Sequence, residues 1–400
     1  MVMMMALLFV VVVVAAGACD LGRGPPRPSA WNAGDEKATS SWEQQLRDAA
    51  RASIATLDNG PSAIKRMLDP RFDVYRLLVI DGHLYVHESF LRVDKSRKFA
   101  TLVAMVAHRL PNVVWLHDSG ARSSARSLNG SLPTTLLSRR VDQKGILVPN
   151  PYFGRRSIGT WDKDRSRFEK LRIPFERRIP KVFWRGSVGS KRSCSQGTGN
   201  YARLQAVTLT TCREDLFDVR CQHGCADGTN TTFDPTCFPR DDDFFDLKNL
   251  ATTRHFVDPA DYSKYQFLLN LPGSTSGSYS RNLNHLWAMG SVVLLWHSPY
   301  VEWYYAALRH GTTHLSVDKS SILHAIETLQ NDRATRDRLI RNALEVDRRL
   351  VCGTCILDFV VDVIHLIHDH LDGLLDDDDN RLLATLNYML YGDEVMTTRL

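Results

Sequence analysis

Lys181-Val182-Phe183-Trp184-Arg185-Gly186-Ser187 is an apolar run that ends in an arginine and a small-residue loop. A short apolar run bounded by turn residues reads as a buried strand. Glycine lets the backbone come close to a bound group and arginine offers a planar fork of donors, so the loop suits an anion. The same design recurs on either side. Upstream, Val113-Val114-Trp115-Leu116 lies between Pro111 and His117-Asp118-Ser119-Gly120, Gly145 to Pro149 repeats the pattern, and Phe72 to Val86 alternates like two short strands around the turn Asp81-Gly82. Downstream, Tyr265 to Leu271 and Ser291 to Leu295 are apolar strands with a helix between them from about Asn282 to Met289. Helical spacing covers Trp42 to Met67, about Arg97 to Arg109, Ser321 to Leu350 and Leu357 to Leu371. Strands alternating with helices, with polar loops at the strand ends, predict an α/β fold with parallel sheets. Two such blocks predict two Rossmann-like domains facing a cleft, residues 42–180 and 181–350, followed by a C-terminal helix and tail over 351–400.

The bulk properties fit that size. The chain has 400 residues, 44% hydrophobic and 24% charged, enough for two cores and unlike a disordered chain. A net charge of +5 suits anionic ligands such as nucleotide phosphates better than a nucleic acid. Residues 1–18 are an almost unbroken apolar run ending in Ala15-Ala16-Gly17-Ala18, which reads as a cleaved signal peptide or a signal anchor. No other stretch reads as a membrane span, so any membrane link runs through this segment. Residues 19–41 read as a stem or linker, rich in Pro, Gly and Ser from Gly22 onward. Seven cysteines follow Cys19, five of them (Cys194, Cys212, Cys221, Cys225, Cys237) in one loop-like region, which predicts disulfides in an oxidising compartment. Cys352-Gly353-Thr354-Cys355 reads as a local or inter-domain disulfide sooner than as a redox centre. Asn129-Gly-Ser and Asn230-Thr-Thr are glycosylation acceptors in a eukaryotic lumen.

Two further pieces carry chemistry. Asp118 ends a predicted strand, where open α/β sheets place functional groups. Ser278-Tyr279-Ser280-Arg281 precedes the predicted helix that holds His285-Leu286-Trp287, gathering hydroxyls, amides and an arginine at a helix N-terminus that would attract a diphosphate.

In this order the pieces resemble glycosyltransferase family 90, the family of the Rumi-type protein O-glucosyltransferases and the fungal capsule-associated xylosyltransferases. Its Phe-Arg-Gly after a strand matches Phe183 to Ser187 with an aromatic swap, and a downstream arginine matches Arg203. Its Tyr-Lys-Tyr-Leu-x-Asn-x-x-Gly segment matches Tyr262 to Gly273 through Lys264, Tyr265, Leu268, Asn270 and Gly273. Ser280-Arg281, Gly290-Ser291-Val292-Val293-Leu294, Tyr300-Val301-Glu302-Trp303-Tyr304, His314 and Val317-Asp318 follow, so the resemblance spans about Leu110 to Ala343. It implies a GT-B-like fold and inverting, metal-independent transfer of glucose or xylose from UDP-glucose or UDP-xylose to a hydroxyl of a protein or polysaccharide. No cofactor is implied beyond the UDP-sugar co-substrate.

By the same resemblance Asp118, after Leu110-Pro111 and the strand to Leu116, is the base. Arg185, Gly186, Ser187, Ser280 and Arg281 surround the donor diphosphate, and Glu302 meets the ribose. Asn282-Leu283-Asn284 stands where the family usually has Arg-Leu-Lys or Arg-Phe-Lys, with Arg281 one place earlier. The lumen of the endoplasmic reticulum or Golgi is the implied location, with the enzyme anchored or secreted.

Other readings weigh less. Asp241-Asp242-Asp243 could be the Asp-x-Asp metal site of GT-A transferases, but it follows Cys237-Phe238-Pro239-Arg240 rather than a strand. Of His365, His368 and His370 only the first two share a helix face, so no metal site is expected. A catalytically silent carbohydrate- or nucleotide-binding protein of the same fold is the alternative from another class.

Overall fold

The structure, a computed structural model, describes residues 21–22, 24–28, 40–120, 131–153, 158–188, 199–223, 251–253, 255–273, 280–372 and 388–391. The apolar leader, Asn129, Asn230, Asp241 to Asp243 and the acidic run 376–379 lie outside the described residues. The chain divides into two compact units, one of residues 35–164, 300–307 and 347–400, the other of 1–34, 165–299 and 308–346.

The unit that contains residue 118 is built on a six-stranded sheet, ordered β13-β2-β1-β3-β4-β6. Its strands are β1 (Arg76–Ile80), β2 (His83–His87), β3 (Val113–Asp118), β4 (Thr134–Leu136), β6 (Ile146–Leu147) and β13 (Tyr388–Tyr391). β1 and β2 form the expected hairpin, and both turn residues, Asp81 and Gly82, have positive φ (48° and 77°), which suits the tight two-residue turn. β3 to β4 to β6 is the parallel part of the sheet, while β13, β2, β1 and β3 are antiparallel neighbours. A separate pair joins β5 (Arg139–Arg140) to β11 (Tyr300–Val301). The helix Gly353–His370 covers β3 and packs on the helix Trp42–Ile54. Its buried Ile356, Phe359, Val360, Val363, Ile364 and Ile367 recur at three- and four-residue intervals, one continuous apolar face. The helix expected over 97–109 runs instead from Asp94 to Ala104, followed by a 3₁₀ turn at Ala107–Arg109.

The other unit carries a five-stranded, wholly parallel sheet of β7 (Ile179–Ser187), β8 (Phe217–His223), β9 (Tyr265–Asn270), β10 (Val292–Trp296) and β12 (Leu315–Val317), ordered β12-β10-β9-β7-β8. In chain order this is a 2-1-3-4-5 arrangement, in which the first strand and the third lie side by side and the winding reverses between them. Ligands of open α/β sheets bind outside the carboxyl ends of the strands at such a reversal. One face of the sheet is closed by an apolar core in which Val182, Trp184, Phe267, Leu269, Val292 and Leu294 meet residues of the helices Gly199–Cys212 and Ile322–Asn331. Each such fully buried side chain stabilises the fold by about 1.5–3 kcal/mol relative to exposure. The predicted helical stretch 321–350 is two helices, broken at Asp332. The fold class is thus the α/β, GT-B-like one, with a parallel sheet or parallel sheet segment in each unit.

Candidate functional site

The carboxyl end of β7 carries Arg185, Gly186 and Ser187 to the reversal point. Alternation along the strand sends Val182 and Trp184 into the apolar core and turns Phe183 and Arg185 to the opposite face. Gly186 has no room for a side chain, because an added Cβ would lie 2.5 Å from Cζ2 of Trp184. Arg203 ties the two central strand ends together, donating from Nε to the Pro272 carbonyl (2.8 Å) and from Nη1 to the Ser187 carbonyl (2.5 Å). Burial lowers its pKa to about 10, so it stays charged at neutral pH. Asn270 ends β9 beside it, 5% exposed, and its Oδ1 has no hydrogen-bond partner among the described residues.

Arg185 is not the free fork that the sequence suggests. Its Nη1 donates to the carbonyls of Trp184 (3.0 Å) and Asp218 (2.6 Å), and its Nη2 donates to both carboxylate oxygens of Asp218 at 2.8 Å. The guanidinium lies over the Phe183 ring, 4.5 Å from its centre. Of five donors only the Nε–H lacks a partner among the described residues. Asp218 also accepts from Arg220 Nε (2.9 Å) and from the Tyr265 hydroxyl (2.8 Å). Burial alone would raise the Asp218 carboxyl, but the bonds from Arg185, Tyr265 and Arg220 hold it below the ordinary carboxylate range. Burial, together with the same carboxylate, pushes the Tyr265 hydroxyl up. Sequence reading missed Asp218, Arg220 and Tyr265 as partners of Arg185. The polar Asp218 and Arg220 alternating with Phe217, Val219 and Cys221 along β8 were the available signal.

Ser280 is buried and precedes the helix Leu283–Leu286, which is a single α-turn continued by a 3₁₀ turn to Met289. The helix expected over 282–289 is therefore too short for its dipole to add much to an anion site. Arg281 is exposed, while Asn282 donates from Nδ2 to the Arg185 carbonyl at 3.0 Å. The asparagine thus contacts the strand that carries Arg185.

Asp118 and Glu302 belong to the other unit. Asp118 ends β3 at 5% exposure, and its Oδ1 accepts from the Gly120 amide at 2.7 Å, which fixes the carboxylate at the strand end. Ser119 is held by Ser96, hydroxyl to hydroxyl at 2.8 Å. Glu302 follows β11 at 2% exposure and accepts on Oε2 from Asn150 Nδ2 (2.9 Å); Asn150 in turn accepts from the Tyr152 amide. The Glu302 charge adds to burial in raising the Tyr305 hydroxyl.

His117, beside Asp118, faces the interior. Its ring stacks on Phe99 with centroids 3.8 Å apart, and its Nδ1 lies 3.0 Å from Thr135 Oγ1, which itself donates to the Leu116 carbonyl. The imidazole therefore donates from Nδ1. Burial lowers its pKa from 6.5 to about 3. An unfolded chain takes up this proton below about pH 6.5 and the folded chain does not, so stability falls as pH drops from 6.5 towards 3, by up to about 1.4 kcal/mol per pH unit from this group. His117→Phe, which keeps the stacking, should flatten that part of the stability profile in urea unfolding between about pH 6 and pH 4. An unchanged slope would mean the acid sensitivity comes from other groups.

The family model of glycosyl transferase family 90 matches residues 62–365. No curated protein matches the chain. Among solved structures, Anabaena Alr3699/HepE in complex with UDP and glucose is 12% identical over 67% of this chain and 76% of that one, with a TM-score of 0.36. The same protein in complex with UDP-glucose is 13% identical over 70% and 77%, with a TM-score of 0.34.

Proposed function

The chain belongs to glycosyl transferase family 90, and from that premise we propose that it moves glucose or xylose from a UDP-sugar to a hydroxyl of a protein or glycan, with inversion and without a metal. The observation that carries the reading is the pre-ordered cation at the reversal point: Arg185, held by Asp218 at the carboxyl end of β7 beside Gly186 and Ser187, with Asn282 on its carbonyl. A departing UDP develops negative charge on its β-phosphate, and fixed donors at that place stabilise it without reorganising. Arg185 offers its Nε–H there while Asp218 holds its Nη donors, and Arg281 adds an exposed charge ahead of the helix Leu283–Leu286. Asp118 takes the proton of the acceptor hydroxyl. The freed oxygen pair attacks C1 of the sugar, and the C1–O bond breaks towards the diphosphate. Glu302, oriented by Asn150, meets the ribose.

In this mechanism arginines and amides, not a metal, take the leaving-group charge. Incubation with labelled UDP-sugars and candidate acceptors in excess chelator should therefore give transfer at an unchanged rate. Strong metal dependence would move the site to Asp241 and Asp243 and end this mechanism. Affinity for UDP without its release from any UDP-sugar would favour a silent binding protein. The proposal includes a lumenal setting, in which residues 1–18 are removed or kept as an anchor and Asn129 or Asn230 carries sugar. Mass spectrometry of secreted and membrane fractions reads this directly, and an intact, unglycosylated cytosolic chain with free thiols would contradict it.

A further inference from the structure

Cys352-Gly353-Thr354-Cys355 takes no part in sugar transfer as derived above. The two cysteines are joined in a disulfide across the first turn of the eighteen-residue helix Gly353–His370. Cys352 is the N-cap residue, and its Sγ accepts from the Cys355 amide at 3.0 Å. The Thr354 hydroxyl lies 3.3 Å from the same sulfur, and Cys355 Sγ is 3.4 Å from the Arg348 carbonyl. Both cysteines are partly exposed, so a solvent-borne thiol reaches the bond.

The turn does not depend on the sulfurs for its shape. Gly353 donates its amide to Asp162 Oδ1 (3.1 Å), Trp161 Nε1 donates to the Val351 carbonyl (2.5 Å), and a Cβ at Gly353 would collide with the Asp162 carboxylate. Ile356 and Val360 anchor the following turns in the core. A disulfide that spans two intervening residues closes a short loop and so restrains the unfolded chain less than one closing a long loop. Stapling therefore accounts poorly for the pair. Its chemical setting accounts for it better. A thiolate on Cys352 would keep the Cys355 N–H and sit at the positive end of a long helix, both of which stabilise the anion. A stabilised thiolate is also the faster leaving group in exchange. Asp162, the acidic neighbour of the turn, is turned to the Gly353 amide, and Arg349 is paired with Glu43.

We propose that Cys352–Cys355 is a thiol–disulfide exchange site, reduced by small thiols of the glutathione class while the fold stays intact. The incoming thiolate attacks Cys355 Sγ, the S–S bond breaks, and its electron pair remains on Cys352 Sγ beneath the Cys355 amide. A second thiolate then attacks the glutathione sulfur of the mixed disulfide and leaves as glutathione disulfide. Cys355 takes a proton from solvent. Two thiols are oxidised and one protein disulfide is reduced.

The test equilibrates the native chain in glutathione buffers of stepped ratio, quenches with acid, alkylates and maps the modified cysteines by mass spectrometry. Cys352 and Cys355 should become modified together while Cys212 and Cys221, both in disulfides, stay protected and far-UV dichroism is unchanged. In the reduced native chain, alkylation of Cys352 should rise with a pH midpoint below the ordinary thiol value of about 8.5. Cys355→Ser should leave Cys352 as the sole thiol of the motif with the same low midpoint, whereas Cys352→Ser should leave Cys355 nearer the ordinary value. Opening of the pair only together with Cys212 and Cys221, or an ordinary midpoint at Cys352, would overturn the proposal and leave a structural crosslink.

Discussion

Asp118→Asn is expected to slow sugar transfer by roughly 10²–10⁴-fold and to leave UDP affinity unchanged, because the proposed mechanism gives Asp118 the acceptor's proton and no contact with UDP. The structure makes this a clean substitution. Asp118 Oδ1 accepts from the Gly120 amide at 2.7 Å, and an asparagine carbonyl accepts the same bond, so the end of β3 keeps its shape. His117, whose ring is locked between Phe99 and Thr135, holds the preceding residue independently. Turnover measured beside calorimetric titration with UDP separates chemistry from binding. Transfer at the normal rate would reduce Asp118 to a turn residue and remove it from the mechanism.

The second large effect is on stability. Asp218→Ala takes away the acceptor of two bonds from Arg185, one from Arg220 and one from the Tyr265 hydroxyl. It leaves a guanidinium that is 7% exposed without its counter-charge. Breaking a buried pair from one side typically costs about 3–5 kcal/mol, far more than an exposed ion pair is worth. The Arg185→Ala/Asp218→Ala double variant should be less destabilised than the sum of the single changes, since neither partner is then stranded. Denaturant unfolding of the three variants gives the coupling directly. A single-variant loss below about 1 kcal/mol would mean that Arg185 is not held by Asp218 and is as free as an exposed arginine.

That second result bears on what the sequence could reveal. The strand at 181–187 and its small-residue end were legible because an apolar run followed by Gly186 has few other local solutions. The β1–β2 hairpin was legible because Asp81-Gly82 suits a turn that needs positive φ at both positions. The helical spacing of Leu357 to Leu371 was visible for the same kind of local reason, although the helix starts earlier, at Gly353. What could not be read was pairing across distance. Arg185 and Asp218 are 33 residues apart and Asn150 and Glu302 are 152 apart, and no local pattern links either pair. The arginine at 185 was therefore expected as an open fork, and it is instead a clamped one. Between 281 and 284 the sequence departs from the family pattern, with Arg281 one place early. There Asn282 bonds the Arg185 carbonyl, 97 residues away, another pairing that no local pattern announces. The short helix there ends at Gly290, whose φ of 67° stops it after the 3₁₀ turn. Membership of residues 300–307 in the unit of Asp118 also follows from tertiary pairing, here β11 with β5, and not from chain order.

The central claim is a single displacement at C1, in which a base takes the acceptor proton as the diphosphate leaves. The anomeric configuration of the transferred sugar tests it most directly, because one displacement leaves a different product from two. With UDP-glucose, whose glucosyl bond is α, proton NMR of the product should show a β-linked glucose formed at the rate of UDP release. A retained α linkage, or UDP bound and never released with any donor and acceptor, would contradict the account.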